Sequence, residues 1–253
     1  MLVTITGMKL KIISKESPQV YPLVSKAKSI AESLGYIIDE TNPDIVIAIG
    51  GDGTLLRAID FGKPIITVKA GRRSFLMDVD PQDMENVLKR LKEGDYYVHE
   101  YPLLRVSYGN IAKEVFNEAG ILYDEPESII ITAHFQETSF TSEGDGILVS
   151  TPQGSTGWSM SITGVYLGVP NALEISLVSP ILSAVKSLIV PRTRIKLVME
   201  SKGYDQKARI VADGNVIGHV KPGDVVEITP SRNAIVYRFF KIDPLRGISP
   251  WRK

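Results

Sequence analysis

The sequence predicts a doubly wound α/β domain followed by a β-sandwich-like domain. Its first part alternates β-rich runs with segments of helical periodicity. One of these runs, DIVIAIG, is apolar on both faces, as expected of a central parallel strand. From about residue 100 onward, short β-rich runs between turn residues replace this alternation. We therefore expect an N-terminal Rossmann-like α/β domain over residues 1–100 and a C-terminal β-rich domain over residues 101–253, with its tail packed back on the first domain.

The predicted elements of the first domain follow one another closely. Apolar spacing and helix-start signals predict helices over residues 22–34, 54–61 and 80–94. The strands are predicted at MKLKII, YIID, DIVIAIG and PIITV. In the second domain the β-rich runs are LLRVSY, SIIITAHF, GILVS, ISLVS, RIKLVME, KARIVAD, VVEITP and AIVYRFF.

Composition favours a small-molecule partner. Lys plus Arg and Asp plus Glu both total 29, so no net field attracts nucleic acid or an anionic membrane. The chain has no cysteine, and its three histidines are scattered, which argues against a protein-held zinc site. It also lacks an apolar run long enough to cross a bilayer and a secretory signal. We expect a cytoplasmic protein without membrane or nucleic-acid partners.

The strongest local signal is the segment GGDGT at residues 50–54, between an apolar strand and an apolar-faced helix. Glycines let a ligand approach the main chain, and a helix N-terminus directs unpaired N–H groups outward, so the segment predicts phosphate binding. Asp52 would repel phosphate unless Mg²⁺ or a hydroxyl proton requires it there, which points to a catalytic role. The alternative is a glycine-rich turn in which Asp52 or Thr54 caps the helix.

The second signal is a strand followed by a turn dense in hydroxyl groups, GDGILVSTPQGSTGWSMS at residues 144–161. Such a turn offers donors and acceptors to ribose and amide groups, and its small residues leave room for a flat ring. It therefore suits a nucleoside. The alternative is a Ser/Thr-rich turn with helix caps.

Taken in order, GGDGT, Asn117-Glu118 and GDGILVSTPQGST resemble the NAD kinase family, and the match runs from about Met8 to near residue 240. The GGDGT motif is shared with diacylglycerol and sphingosine kinases, whereas the longer stretch is particular to NAD kinases. The resemblance implies phosphoryl transfer from ATP or polyphosphate to the adenosine-ribose 2′-hydroxyl of NAD, giving NADP. Mg²⁺, or another divalent cation, would arrive with the donor.

The resemblance also assigns roles within the first motif and beside it. Asp52 accepts the proton of the 2′-hydroxyl, and Gly51 and Gly53 lie beside the phosphates. Arg57, one turn into the following helix, is suited to neutralise phosphate charge, although a surface salt bridge is an equal alternative. Phe75 is suited to stack on adenine, or to join the core.

Further residues match the segments that surround the dinucleotide in the family. The Asn117 amide is expected to read the adenine edge, and the Glu118 carboxylate to accept bonds from ribose hydroxyls. Asp145 is expected at the nicotinamide end, and Asn215 lies in a DG turn near the site. The remaining expected contacts are Thr156, Gly157, Trp158, Ser159, Met160 and Ser161. Trp158 replaces the family's usual tyrosine, so it keeps a flat face but loses the hydroxyl.

Three rival functions are less well supported. A lipid kinase would need an apolar pocket in place of the hydroxyl-rich segment, and a dinucleotide sensor would not need Asp52. A serine hydrolase lacks the G-x-S-x-G spacing and an evident base. From the family resemblance we also expect a homodimer or homotetramer assembled through the β-rich domain.

Overall fold

The computed structural model describes residues 7–70 and 76–242 of the 253-residue chain. Two compact units are present. Unit 1 consists of the described residues up to Tyr101 together with those from Ala234 onward, and unit 2 is Pro102–Asn233. The chain therefore leaves unit 1 once and returns to it at its end.

The helices are α1 (Tyr21–Ser33), α2 (Asp52–Ile59), α3 (Met84–Glu93) and α4 (Trp158–Thr163). The strands are β1 (Lys9–Ser14), β2 (Ile37–Ile38), β3 (Ile45–Gly50), β4 (Ile65–Lys69), β5 (Tyr97–Tyr108), β6 (Ile111–Val115), β7 (Glu118–Tyr123), β8 (Ile129–Phe135), β9 (Thr138–Gly144), β10 (Gly146–Ser150), β11 (Ala172–Val178), β12 (Ser187–Pro191), β13 (Ile195–Met199), β14 (Ala208–Ala212), β15 (Asn215–Val220) and β16 (Val225–Arg238). Short 3₁₀ turns lie at Pro81–Asp83 and Gly154–Thr156.

Unit 1 is built on a parallel sheet in the order β2-β1-β3-β4, to which the end of β16 adds in parallel beside β4. Every residue of β3 is buried, as a strand covered on both faces requires. Ile45, Ile47 and Ile49 join the core cluster that also contains residues of α1 and α3. Since side chains alternate along a strand, Val46 and Ala48 point to the opposite face, and both are fully buried. The predicted α/β domain is confirmed.

Two predicted helices of unit 1 differ in detail from the observed ones. The helix predicted over residues 54–61 begins two residues earlier, because Gly51, in an extended conformation, is the N-cap of α2. The segment predicted as one helix over residues 80–94 divides into the 3₁₀ turn and α3. Gly94 ends α3 in the left-handed conformation, and its N–H bonds the carbonyl oxygens of Arg90 and Leu91.

Unit 2 is a two-layer β structure. One sheet has the order β12-β11-β10-β7-β14-β15 and is antiparallel throughout. The other layer pairs β9 with β8, β8 with β13 and β13 with the first residues of β16, again antiparallel, while β5 pairs with β6. Side chains from both layers form a single buried cluster. The predicted sandwich-like fold is confirmed.

Several strands of unit 2 escaped prediction or were divided. The runs VVEITP and AIVYRFF form the single strand β16, in which Pro230 lies between the stretch paired with β13 and the stretch paired with β4. A proline cannot donate a ladder hydrogen bond, so the pattern indicated a break at this residue. The strands β6, β7, β9, β12 and β15 were not predicted, because their short or polar runs have little alternation.

A buried ion pair joins two distant parts of unit 1. Arg238 Nη1 lies 3.0 Å from Asp78 Oδ1, and both side chains are almost wholly buried. Asp78 Oδ2 accepts a bond from the Phe239 amide at 2.9 Å, and Arg238 Nη2 donates to the Tyr101 hydroxyl at 2.8 Å. Thr67 Oγ1 donates to Asp78 Oδ1 at 2.8 Å. The last residues of β16 are thus tied to β4 and to the segment that follows it.

Within the part of the chain that the structure describes, no helix is long and apolar enough to span a bilayer.

We predict that Asp78→Ala lowers the free energy of unfolding by about 3 to 5 kcal/mol, because it leaves the Arg238 guanidinium buried without its counter-charge. The control is Asp80→Ala, which removes a half-exposed partner of Lys69 and is expected to cost at most about 1 kcal/mol. Urea unfolding followed by circular dichroism measures both changes. Equal losses in the two variants would contradict the assigned role of the buried pair.

Candidate active site

The GGDGT segment forms the connection from β3 to α2. A Cβ atom at Gly50 would clash with the Thr54 side chain, so packing requires glycine there. A Cβ at Gly53 would meet none of the described residues within 4 Å, so these residues leave the space beside Gly53 open. The first amides of α2 therefore stand at a helix N-terminus with room for a ligand next to them.

Asp52 is the first residue of α2, and its carboxylate binds a segment distant in sequence. Its Oδ1 atom accepts a hydrogen bond from the Leu76 amide at 3.0 Å. The alternative in which Asp52 or Thr54 serves as the helix cap is not observed, because the N-cap is Gly51 and no side chain makes a cap bond there. The carboxylate is thus oriented by a backbone donor outside its own helix.

Arg57 and Phe75 were also predicted to lie beside the ligand, and the structure describes Arg57 alone of these two. Arg57 Nη2 donates to the Ser14 carbonyl at 2.5 Å, so the guanidinium connects α2 to the end of β1. This bond lies at the carboxyl end of the sheet, the edge at which open α/β sheets bind ligands. Phe75 lies outside the described residues.

In unit 2, Asp213 holds the backbone that precedes β7. Its two carboxylate oxygens accept bonds from the Asn117 amide at 2.7 Å and the Phe116 amide at 2.9 Å. Asp213 and Gly214, both with positive φ, form the two-residue hairpin between β14 and β15. Asn215 Nδ2 donates to the Asp213 carbonyl at 2.9 Å. The DG turn, which the family resemblance places near the site, therefore contacts the backbone just before Glu118 through the Asp213 carboxylate.

The TPQGST turn packs against the same backbone. Thr151 Oγ1 donates to the Phe116 carbonyl at 2.6 Å, and Gln153 Nε2 donates to the same oxygen at 2.8 Å. A Cβ atom at Gly154 would clash with the backbone of Asn117, so only glycine fits there. Two motifs that are far apart in sequence, the DG turn and the TPQGST turn, therefore converge on the backbone of Phe116 and Asn117.

Glu118 carries a buried carboxylate oxygen with no protein partner. The residue is 5% exposed, and its Oε2 atom accepts no hydrogen bond from the residues that the structure describes. A Cβ atom at Gly157 would lie 3.5 Å from this oxygen. Burial, with the charge of Asp213 nearby, raises the pKa of Glu118 to about 7. An unpaired buried acceptor of this kind is costly unless a ligand donor occupies it.

The pKa of Asp213 is also raised, and its cause is burial. The bonds that its carboxylate accepts from the amides of Phe116 and Asn117 act in the opposite direction. Burial therefore disfavours the charged form of both Glu118 and Asp213, and the charge of Asp213 adds to this effect at Glu118.

The hydroxyl-rich run at residues 156–161 divides into buried and accessible side chains. Ser159 is fully buried, and its Oγ lies 2.8 Å from Glu174 Oε2 and 2.6 Å from Ser176 Oγ. Its hydroxyl therefore fastens α4 to β11. Trp158, by contrast, is 39% exposed at the start of α4, so its indole face is accessible.

The other residues of this run lie on or just before α4. Thr156 Oγ1 donates to the Gln153 carbonyl at 3.0 Å and so closes the turn. Gly157 and Ser161 are exposed, and Met160 is half-buried. Of these four residues, Gly157 borders the Glu118 carboxylate.

Asp145 lies at the far end of the strand from this cluster. It precedes β10, whose last residue, Ser150, pairs with Glu118. At roughly 3.3 Å per residue the five-residue separation is about 17 Å along the strand. The structure therefore does not bring Asp145 together with Asn117 and Glu118.

These features define a class of protein. A helix N-terminus with open space and an oriented carboxylate suits phosphoryl groups, and a buried acceptor beside small residues suits a nucleoside. No group of three or more His, Asp or Glu side chains that could hold a metal ion occurs among residues 7–70 and 76–242. A phosphate-binding feature in unit 1 and a nucleoside-binding feature in unit 2 are typical of enzymes that transfer phosphoryl groups to or from nucleotides.

Comparison with known proteins identifies the family. A model of the ATP-NAD kinase N-terminal domain matches residues 8–96, and a model of the C-terminal domain of the same family matches residues 117–239. The NAD kinase of Saccharolobus solfataricus is 46% identical over 238 residues, which cover 93% of this chain and 96% of the relative. The NAD kinase of Sulfurisphaera tokodaii is 42% identical over 246 residues, with 95% and 99% covered. The chain therefore belongs to the NAD kinase family and is an NAD kinase enzyme.

Solved structures agree with the fold. Yeast NADH kinase complexed with NADH superposes with a TM-score of 0.85 at 16% identity, covering 96% of this chain and 86% of that one. An NAD kinase from Archaeoglobus fulgidus in complex with ATP gives a TM-score of 0.76 at 22% identity, covering 96% and 100%. The family and the two-domain fold predicted from the sequence are confirmed.

The raised pKa of Glu118 predicts a pH-dependent stability. A carboxyl group whose pKa is higher in the folded than in the unfolded protein stabilises the fold below about pH 4.5, and this contribution is lost as the pH rises through about 7. Glu118→Gln removes the titration. The unfolding free energy of the wild type relative to this variant should therefore fall between pH 5 and pH 8, by on the order of a few kcal/mol.

Urea unfolding at a series of pH values measures this difference. Glu125→Gln, in an exposed turn, is the matched control and should follow the wild type at every pH. Parallel curves for the wild type and Glu118→Gln would show that Glu118 does not titrate in this range.

Proposed function

We propose that this enzyme transfers a phosphoryl group from ATP or polyphosphate to the 2′-hydroxyl of the adenosine ribose of NAD, giving NADP. The donor carries Mg²⁺ or another divalent cation as part of the substrate. The observation that supports this proposal most directly is the Asp52 carboxylate, which stands at the N-terminus of α2 and is oriented by the Leu76 amide. A carboxylate repels phosphate, so its presence beside a phosphate-binding segment is explained if it accepts the proton of the attacking hydroxyl.

In the proposed reaction, Asp52 accepts the proton of the 2′-hydroxyl while that oxygen forms a bond to the transferred phosphorus. The bond from phosphorus to the leaving phosphate oxygen breaks, and ADP or shortened polyphosphate departs. A carboxylate is a weak base at neutral pH, so most of the rate must come from holding the two oxygens in line. Gly51 and Gly53 lie beside the phosphates, where the open space next to Gly53 leaves room for them. Arg57 neutralises phosphate charge.

Unit 2 binds the dinucleotide in this proposal. The Asn117 amide reads the adenine edge, and the unpaired Oε2 of Glu118 accepts a ribose hydroxyl, which supplies the missing hydrogen bond. Phe75 stacks on adenine, Asp145 serves the nicotinamide end, and Asn215 lies near the ligand. The segment from Thr156 to Ser161 surrounds the dinucleotide, with Trp158 offering a flat face and Ser159 fastening the helix.

The state of the enzyme in the cell is a further part of the proposal. From the family resemblance we propose a homodimer or homotetramer, assembled through the β-rich domain, in the cytoplasm. A closed symmetric assembly is the usual form of a soluble oligomer.

We predict that the purified chain, incubated with NAD, ATP and Mg²⁺, forms NADP, and that EDTA abolishes the reaction because the donor then lacks its cation. A parallel arm with polyphosphate identifies the donor.

We further predict that Asp52→Asn lowers the rate by about 10²- to 10⁴-fold, the range typical of a lost general base. The asparagine oxygen can still accept the Leu76 bond, so calorimetry should give an NAD affinity close to that of the wild type.

The matched control is Asp60→Asn, which changes an exposed acid at the C-terminus of the same helix and should leave the rate unchanged. A wild type that makes no NADP, or an Asp52→Asn variant with full activity, would end the proposal. Loss of NAD binding in that variant would assign Asp52 to binding instead of proton transfer.

A further inference from the structure

The backbone of one residue, Leu76, connects the proposed proton acceptor Asp52 to a buried arginine more than 180 residues away. The Leu76 amide donates to Asp52 Oδ1 at 3.0 Å, and the Leu76 carbonyl accepts a bond from Arg238 Nη1 at 2.7 Å. The two bonded groups belong to the consecutive planar peptide groups on either side of the Leu76 Cα, so the Asp52 carboxylate and the guanidinium are linked through one residue whose backbone is bonded at both ends.

The guanidinium is itself held on several sides. Arg238 is 4% exposed, and Nη1 also donates to Asp78 Oδ1 at 3.0 Å and to Thr67 Oγ1 at 2.7 Å. On the other side, Nη2 donates to the Tyr101 hydroxyl at 2.8 Å. A planar fork with this many partners has little rotational freedom, so it is a fixed reference point for the Leu76 carbonyl.

Leu76 needs such a partner because it lies outside every helix and strand. Among the described residues that follow Leu76, Val79 forms an isolated bridge with Val68. Buried or half-buried backbone groups outside regular structure must find hydrogen bonds elsewhere. Here the donor group of Leu76 goes to Asp52 and the acceptor group to Arg238.

From this arrangement we infer that Arg238 is a positioning residue for the reaction, which sets the orientation of the Asp52 carboxylate through the Leu76 peptide. This inference rests on the proposed role of Asp52 as proton acceptor. Arg238 touches neither substrate nor the reacting atoms in this account. Its effect is geometric, since a displacement of about 1 Å in a catalytic group can reduce a rate about a hundredfold.

A merely structural role for Arg238, as the counter-charge of Asp78, makes a different prediction. In that case activity should follow stability, and restoring the stability of the fold should restore the rate. The positioning role predicts that the rate stays low in a stable protein that lacks the bond to the Leu76 carbonyl.

The first experiment compares Arg238→Met with the double variant Arg238→Met/Asp78→Asn. The second substitution removes the unpaired charge, and its side-chain oxygen still accepts the Phe239 amide bond. We expect the double variant to regain most of the thermal stability lost by Arg238→Met. Its kcat should remain at least about tenfold below the wild type, with KM for NAD within about threefold. Recovery of the wild-type kcat in the double variant would overturn the inference.

The second experiment is a double-mutant cycle between Arg238 and Asp52. If Arg238 acts through Asp52, then Arg238→Met in the Asp52→Asn background should lower the residual kcat by less than about twofold. An equal fold-loss in both backgrounds would overturn the inference and leave the role of Asp52 intact. Full activity of Asp52→Asn alone would instead overturn the proposed function, so the two failures are distinguishable.

The control for a lost guanidinium is Arg192→Met in unit 2. Arg192 Nη2 also donates to two backbone carbonyls, those of Leu103 at 3.0 Å and Ser231 at 2.8 Å. It has no bond to Leu76 or Asp52 among the described residues, so its kcat should stay within about twofold of the wild type. A loss as large as that of Arg238→Met would mean that any lost guanidinium slows the enzyme, which would also overturn the inference.

Discussion

The hydrogen bond from the Leu76 amide to the Asp52 carboxylate is the interaction on which this account of the enzyme depends. In phosphoryl transfer the protein contributes little covalent chemistry, and catalysis depends mainly on positioning the reacting groups. A side chain at the first turn of a helix has several rotamers, and a hydrogen bond to a backbone donor outside the helix restricts them. The buried strand β3 and the extended Gly51 bring Asp52 to the sheet edge, and the Leu76 amide then sets its direction.

The two buried carboxylates of unit 2, Asp213 and Glu118, differ in their hydrogen bonding. Both carboxylate oxygens of Asp213 accept hydrogen bonds from the backbone before β7, so each already has a protein partner. Glu118 keeps one buried oxygen without a partner, although such an atom costs about 1 to 3 kcal/mol. This oxygen lies beside Gly157, which has no side chain of its own, since a Cβ atom there would come within 3.5 Å of it. An acceptor that is buried and unpaired is what a binding site for a sugar hydroxyl requires before the ligand arrives.

Local patterns were sufficient for the fold class and for placing the GGDGT segment at the junction of β3 and α2. The buried strand β3 and the glycines that follow it are recognisable from consecutive residues, so both were predicted from the sequence. The burial of Ser159 against Glu174 and the capture of the Asn117 amide by Asp213 were not, because each depends on pairing between strands. An Asp-Gly hairpin has the same sequence signature whether or not its aspartate binds another segment.

The buried ion pair of Arg238 and Asp78 could not be predicted from the sequence. Its partners are separated by 160 positions, and the strand β16 was divided at Pro230 in the prediction. Residues of this kind acquire a role only when topology returns the end of the chain to β4. Sequence motifs identified the residues expected to touch substrate, whereas the groups that orient them depend on the complete fold.

The most direct measurement is an experimental structure of this enzyme with bound NAD. The account predicts that a carboxylate oxygen of Asp52 lies within about 3.2 Å of the adenosine 2′-oxygen while Oδ1 keeps its bond to the Leu76 amide. A carboxylate rotated away from the sugar, or closer to a different hydroxyl than the 2′-hydroxyl, would contradict it.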